Sequence, residues 1–161
     1  MIYLHITLEF TLRTVSDKSP LGNLIRDQLS ENLGNSLSGE GIIQIQKQNN
    51  DVTKLYRVKI DTGAYMSLLP YTAFLDLQPD YYIRYTLFGI QRIPECGIEC
   101  AVTKCKIVLL DSNMKKSPEI ESWIAFSLGP KVPSLLGMKN ILDSYEHHWM
   151  PIKKKMEIIF T

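Results

Sequence analysis

The chain lacks any apolar run long enough to cross a bilayer as a helix, which takes about twenty consecutive apolar residues. It has almost no charge imbalance: 18 Lys and Arg against 17 Asp and Glu leave a net charge of +1. Composition therefore gives no argument for nucleic acid or an anionic membrane as partner, and neither is expected. Cysteine is scarce. Cys96, Cys100 and Cys105 are odd in number and close together, which suits reduced thiols better than a disulfide framework. Their C-x3-C-x4-C spacing lacks the paired C-x2-C of zinc sites, so no metal is expected. Nothing reads as a nucleophile elbow or as a phosphate-binding glycine loop. The stretch MIYLHITLEFTLR has no basic leader and carries Glu9 inside its apolar part. It does not read as a secretory signal, and a cytoplasmic location is the expectation. There is no solenoid-period repeat and no low-complexity tract.

What is present is ordinary globular material. The 161 residues are 45% apolar and 22% charged, enough for one domain with a real core, or a small domain plus an extension. Ile2, Leu4, Ile6, Leu8, Phe10 and Leu12 alternate with polar residues, a period-2 strand with one buried face. In SPLGNLIRDQLSENLG, Ser19 is a plausible N-cap, Pro20 opens a helix, and Leu21, Leu24, Ile25, Leu29 and Leu33 recur at helical spacing. Residues 34–41, GNSLSGEG, read as a loop and as the boundary between an N-terminal strand–helix extension (1–40) and a second unit (41–161). Both extension elements are amphipathic and need a partner face, so they are expected to pack on that unit.

From Ile42 the text is mostly strand. IIQIQKQ and TKLYRVKI flank a QNND turn as a hairpin. YTAFLDLQ is a short helix or turn. YYIRYTLFG, IECAVTKCKIVLL and EIESWIAFSL are strands, DSNMKKSP is a loop, and MKNILDSYE is a short helix. WMPIKKKMEIIF is strand material around Pro151, with the lysines at 153–155 as a solvated turn. Asp143, Glu146, His147 and His148 cluster in sequence, but adjacent histidines on a strand point opposite ways, so a polar surface patch is the reading.

One residue breaks the pattern. Asp61 ends an apolar strand, precedes a tight Thr-Gly turn and is followed at once by apolar residues. A carboxylate in that setting needs a structural or chemical reason. The structural one is an Asp-initiated turn, with glycine free to take unusual backbone angles. The chemical one comes from a resemblance. Asp61-Thr62-Gly63-Ala64, with a strand before it and Ser67-Leu68-Leu69-Pro70 after it, resembles the active-site loop of retropepsin-like aspartic proteases. Pro133-Ser134-Leu135-Leu136-Gly137, followed by a helical segment, resembles that family's second apolar-apolar-Gly segment. The resemblance covers about residues 41–161.

It implies a mainly β fold, a closed, orthogonal β-barrel of the acid-protease type with one or two short helices, beside the N-terminal extension. It implies an aspartic endopeptidase without cofactor, acting on a peptide or protein held as an added strand. A chain with one such motif would complete its catalytic dyad as a homodimer, Asp61 meeting its own copy across a two-fold axis. Asp61 would be catalytic, Thr62 would lock the two loops together, and Gly63 and Ala64 would shape the loop. The hairpin tip around Gly89, Ile90, Gln91, Arg92 and Ile93 falls where the family places its flap. Lys59, Tyr65 and Leu135 are the candidates for lining the substrate pocket.

Two positions depart from the family. Lys59 shares a strand face with Asp61 where the family usually has an apolar residue. A lysine there favours an acidic substrate side chain, or disturbs the dyad, or snorkels to solvent. Tyr65 and Met138 stand where several members carry an acid and an arginine that pair. The rival reading is a catalytically inactive peptide-binding or dimerisation module on the same fold, since fold does not fix function.

Overall fold

A computed structural model describes residues 4–14, 35–88, 96–129 and 131–161. The expected helix within residues 19–34 and the flap candidates Gly89, Ile90, Gln91, Arg92 and Ile93 lie outside the described residues.

The chain folds as a mainly β protein, with ten strands and few helical segments among the described residues. β1 (Leu4–Thr14), β2 (Asn35–Ile45) and β3 (Tyr56–Ile60) are followed by the three-residue β4 (Ser67–Leu69) and helix α1 (Tyr71–Leu77). Then come β5 (Ile83–Leu87), β6 (Ile98–Leu110), β7 (Ile120–Ser127) and the two-residue β8 (Leu135–Leu136). β9 (Glu146–Met150) and β10 (Lys155–Phe160) end the chain. The hydrogen-bonded order is β5-β6-β7-β4-β8-β3-β2-β1-β10-β9, with β6 also pairing β2. That extra pairing closes β2, β3, β8, β4, β7 and β6 into a barrel of six strands. Its length lets β6 serve both neighbours: Ile98–Val102 face β5, and Ile107–Leu110 face Ile45–Ile42 of β2.

The period-2 pattern of β1 has the consequence the sequence implies. Ile6 and Leu8 are fully buried. The strand docks by its first half on β10, from Leu4↔Phe160 to Glu9↔Lys155, and by its second half on β2, from Glu9↔Glu40 to Thr14↔Asn35. The main core fills the barrel with Ile43, Ile45, Val58, Leu69, Ile107, Leu109, Ile124, Phe126, Leu136 and Ile158. A smaller core of Leu68, Ile98, Cys100, Val102, Ala125, Val132 and Leu135 lies on the other side of the same sheet.

Three local readings change. Residues 35–41 are strand, not loop, because pairing with β1 extends β2 through them. The helix expected over 138–146 is a single irregular turn, Met138–Leu142, broken by the extended ψ of Lys139 and the left-handed Asn140. Its first two amides tie it to the Asp61 loop: Met138 N–H donates to Ala64 O and Lys139 N–H to Tyr65 O. The terminal segment is a hairpin of β9 and β10, turned by the 3₁₀ segment Pro151–Lys153 and Lys154 at φ 52°. Among the described residues no helix is long and apolar enough to cross a membrane.

Candidate active site

Asp61 leaves the end of β3, where Lys59 N–H bonds Ser134 O and Asp61 N–H bonds Leu136 O, both from the second segment. These bonds continue the parallel register Lys59↔Leu135 and Ile60↔Leu136. The chain then turns tightly. Gly63 N–H donates to Asp61 Oδ1 at 2.9 Å, and Ala64 N–H donates to Asp61 O at 3.2 Å. The first bond fixes one carboxylate oxygen and leaves the other without a hydrogen bond among the described residues. A methyl on Gly63 would sit 3.3 Å from Asp61 Oδ1, so a side chain there would crowd the carboxylate by a few tenths of an ångström.

The loop is braced from beneath. Ser67 Oγ accepts the Gly137 N–H at 2.9 Å, and both residues are buried. Gly137 lies under Ala64–Met66 so closely that a Cβ would stand 2.5 Å from Met66 C, 2.7 Å from Met66 O and 2.9 Å from Ala64 O. No side chain fits there. With β4 antiparallel to β8 at Leu68↔Leu135 and parallel to β7, the two motif segments form one rigid unit, although sequence separates them widely.

The upper surface of that unit is open. Asp61 and Ala64 are half-buried, and Thr62, Gly63 and Tyr65 are exposed. The Thr62 hydroxyl has no hydrogen-bond partner among the described residues. Lys139 sits 5.8 Å from the centroid of the Tyr65 ring, a cation–π contact one residue beyond the Tyr65–Met138 pair considered from the sequence.

The register shows which residues share the face of Lys59. A single row of cross-strand partners runs Glu40–Lys59–Leu135–Leu68–Ala125–Val102–Ile83. Such partners share a sheet face. The row starts charged, passes beneath the smaller core and emerges at Ile83. There Ile83, Tyr85, Met66, Val102 and Trp123 line an apolar cleft of about 240 Å³. None of these five was singled out in the sequence as a pocket residue, and none of the candidates Lys59, Tyr65 and Leu135 lines this cleft. The missed signal was the alternation of Ile83 and Tyr85, the same parity argument that found Lys59.

The other clusters stay structural. Burial pushes the Cys100 and Cys105 thiols up to about 11 and about 12, and Cys96 is exposed. His148 Nε2 pairs with Glu146 Oε1 at 2.7 Å, while His147 Nδ1 accepts from Trp149 Nε1 at 3.0 Å. No group of metal-ligating side chains occurs among the described residues.

No protein-family model matches the chain, and no curated protein does. Solved structures do. The crystal structure of a retropepsin-like aspartic protease from Rickettsia conorii matches with a TM-score of 0.52 and 17% sequence identity, over 99% of this chain and 93% of that one. EIAV protease in complex with an inhibitor matches with a TM-score of 0.38 and 21% identity, over 65% of this chain and 85% of that one. The chain has a retropepsin-like fold. Identities this low speak to the fold, and the chemistry has to be argued from the residues.

Proposed function

We propose that this chain is an aspartic endopeptidase whose active form is a homodimer, with Asp61 of each copy forming the catalytic dyad. The observation that carries the reading is the braced loop: a half-buried Asp61 carboxylate held by the Gly63 amide, beside the exposed Thr62, on a support pinned by the Gly137–Ser67 bond. One carboxylate cannot both accept a proton from water and donate one to a carbonyl. Two held together share a proton and divide the roles.

The chemistry then runs without cofactor. The ionised Asp61 takes a proton from water as the hydroxide oxygen bonds the peptide carbonyl carbon. The protonated Asp61 of the second copy gives its proton to the carbonyl oxygen. On collapse the C–N bond breaks, the leaving nitrogen takes the proton held by the first carboxyl, and a diol proton returns to the second carboxylate. The products are an acid and an amine. Gly63 N–H orients the carboxylate throughout. Peptide would lie extended along the sheet face, with the apolar cleft of Met66, Ile83, Tyr85, Val102 and Trp123 receiving a side chain.

The test is cleavage of a diverse peptide library from about pH 4 to pH 7, the range of a shared-proton dyad, with sedimentation of the same samples. Wild type is expected to cleave as a dimer, and a folded Asp61→Asn variant to lose about a hundredfold or more. Cleavage that survives Asp61→Asn, or that proceeds with a strictly monomeric chain, overturns the reading.

A further inference from the structure

Among the described residues, two cations on β3 stand without counter-ions. Arg57 and Lys59 form no ion pair among the described residues, whereas Lys47, Lys104 and Lys106 each have a carboxylate partner. Arg57 is exposed and Lys59 is half-buried. A partly covered lysine and an exposed arginine with no carboxylate of their own are free to pair with a ligand carboxylate.

Their position is specific. Arg57, Lys59 and Asp61 are spaced two residues apart along one extended segment, so their side chains leave on the same side. Lys59 makes no ion pair with Asp61, so the cation is beside the carboxylate and not tied to it. With Glu40, Val58, Pro133 and Ser134, the two cations line a cleft of about 210 Å³. Glu40 is in register with Lys59 and is the one acid among these residues, so two positive charges against one negative leave the lining at +1. Ile42 is the cross-strand partner of Arg57 and offers it no charge.

We infer that Arg57 and Lys59 make this cleft a subsite for a substrate side chain ending in a carboxylate, Asp or Glu, close to the bond that Asp61 acts on. The inference rests on the peptidase reading and adds its substrate class. Arg57 presents a planar fork that fits a carboxylate, and Lys59 supplies a mobile point charge. An amide of the same shape would leave the ammonium unpaired. Glu is therefore favoured over Gln at this position by about ten- to a hundredfold in kcat/KM.

The experiment is a peptide library with every residue sampled at each position around the cleaved bond, read by mass spectrometry. Full-length wild type, Lys59→Gln, Lys59→Glu and Arg57→Gln are compared, with thermal unfolding as the check on folding. Wild type is expected to select acid at one position. Lys59→Gln is expected to lose most of that selection, and Lys59→Glu to turn it toward Lys and Arg. No acid selection by wild type, or selection unchanged in both Lys59 variants, overturns the subsite. The same peptides immobilised and probed with the Asp61→Asn chain separate the two readings. If wild type cleaves nothing yet binding still depends on the acid and on Lys59, the peptidase reading fails and the subsite stands. Binding indifferent to both overturns the subsite as well.

Discussion

The Ser67 hydroxyl accepts a hydrogen bond from the Gly137 amide at 2.9 Å, across a sequence separation of 70 residues. It is the point where the carboxylate loop and the second apolar segment become one body. The Ala64–Met66 stretch above it rests on a backbone contact with Gly137 that only glycine permits.

Gly137→Ala is the direct probe of that contact. The added methyl would meet backbone atoms of Ala64 and Met66 at 2.5–2.9 Å, and backbone cannot rotate away as a side chain end can. A loss of about 1–3 kcal/mol is expected from overpacking of this kind, read as a lower urea midpoint. The shift should also move the loop, so cleavage should fall by more than the folded fraction does. Ser67→Ala keeps the space but strands the buried Gly137 N–H, at a cost of about 1–3 kcal/mol.

The Tyr65–Lys139 contact should behave differently. Tyr65 is 67% exposed, and the ammonium lies 5.8 Å from its ring. Exposed cation–π pairs contribute about 0.5–1 kcal/mol. Lys139→Gln should therefore leave the urea midpoint nearly unchanged, well above that of Gly137→Ala. A large loss would mean that the side chain carries weight the contact does not explain.

The thiols offer a chemical test of burial. Reaction with iodoacetamide needs thiolate, and burial holds Cys100 and Cys105 at about 11 and about 12. In native protein at about pH 8, near an ordinary thiol's value, Cys96 should take up label first. The other two should react only after denaturant is added. Mass spectrometry of the labelled peptides reads this directly, and early labelling of Cys105 would contradict its burial in the main core.

Much of this was legible because it is local. The alternation in β1, the QNND turn between Gln48 and Asp51, and the Asp61-Thr62-Gly63 turn are each set by a few adjacent residues. What was missed is set by neighbours distant in sequence. Residues 35–41 hold Asn, Ser and Gly and look like loop, yet Gly41 fits against Leu8, whose Cδ2 would lie 3.2 Å from an added Cβ. The pairing with β1, not propensity, makes that stretch a strand. MKNILDSYE has helical residues, but its backbone turns extended at Lys139 and left-handed at Asn140, where the segment docks on Ala64 and Tyr65. Lys59 could be placed on the face of Asp61 by counting in twos. That Glu40 would stand opposite it, and that Arg57 would share its cleft, required the register of β2 against β3.

That same hairpin is anchored to α1 through Asp76, and the anchor should titrate. Asp76 accepts the Tyr56 hydroxyl at 2.7 Å and the Lys54 amide at 3.0 Å on Oδ2, and pairs with Lys47 at 3.0 Å through Oδ1. Burial alone would raise its pKa. The hydrogen bonds from Tyr56, Lys47 and the Lys54 backbone outweigh that and bring it from 3.8 down to about 2. A carboxylate whose pKa is lower folded than unfolded stabilises the fold above its unfolded value, and this contribution fades as pH falls through the folded one. Wild type should thus be more stable than Asp76→Asn at about pH 6, above the unfolded carboxylate value. The difference should shrink as acid is added between the values of 3.8 and about 2. Urea unfolding of both proteins across that range decides it. A difference that stays constant with pH would mean the anchor works through shape and neutral hydrogen bonds, with the charge of Asp76 contributing nothing.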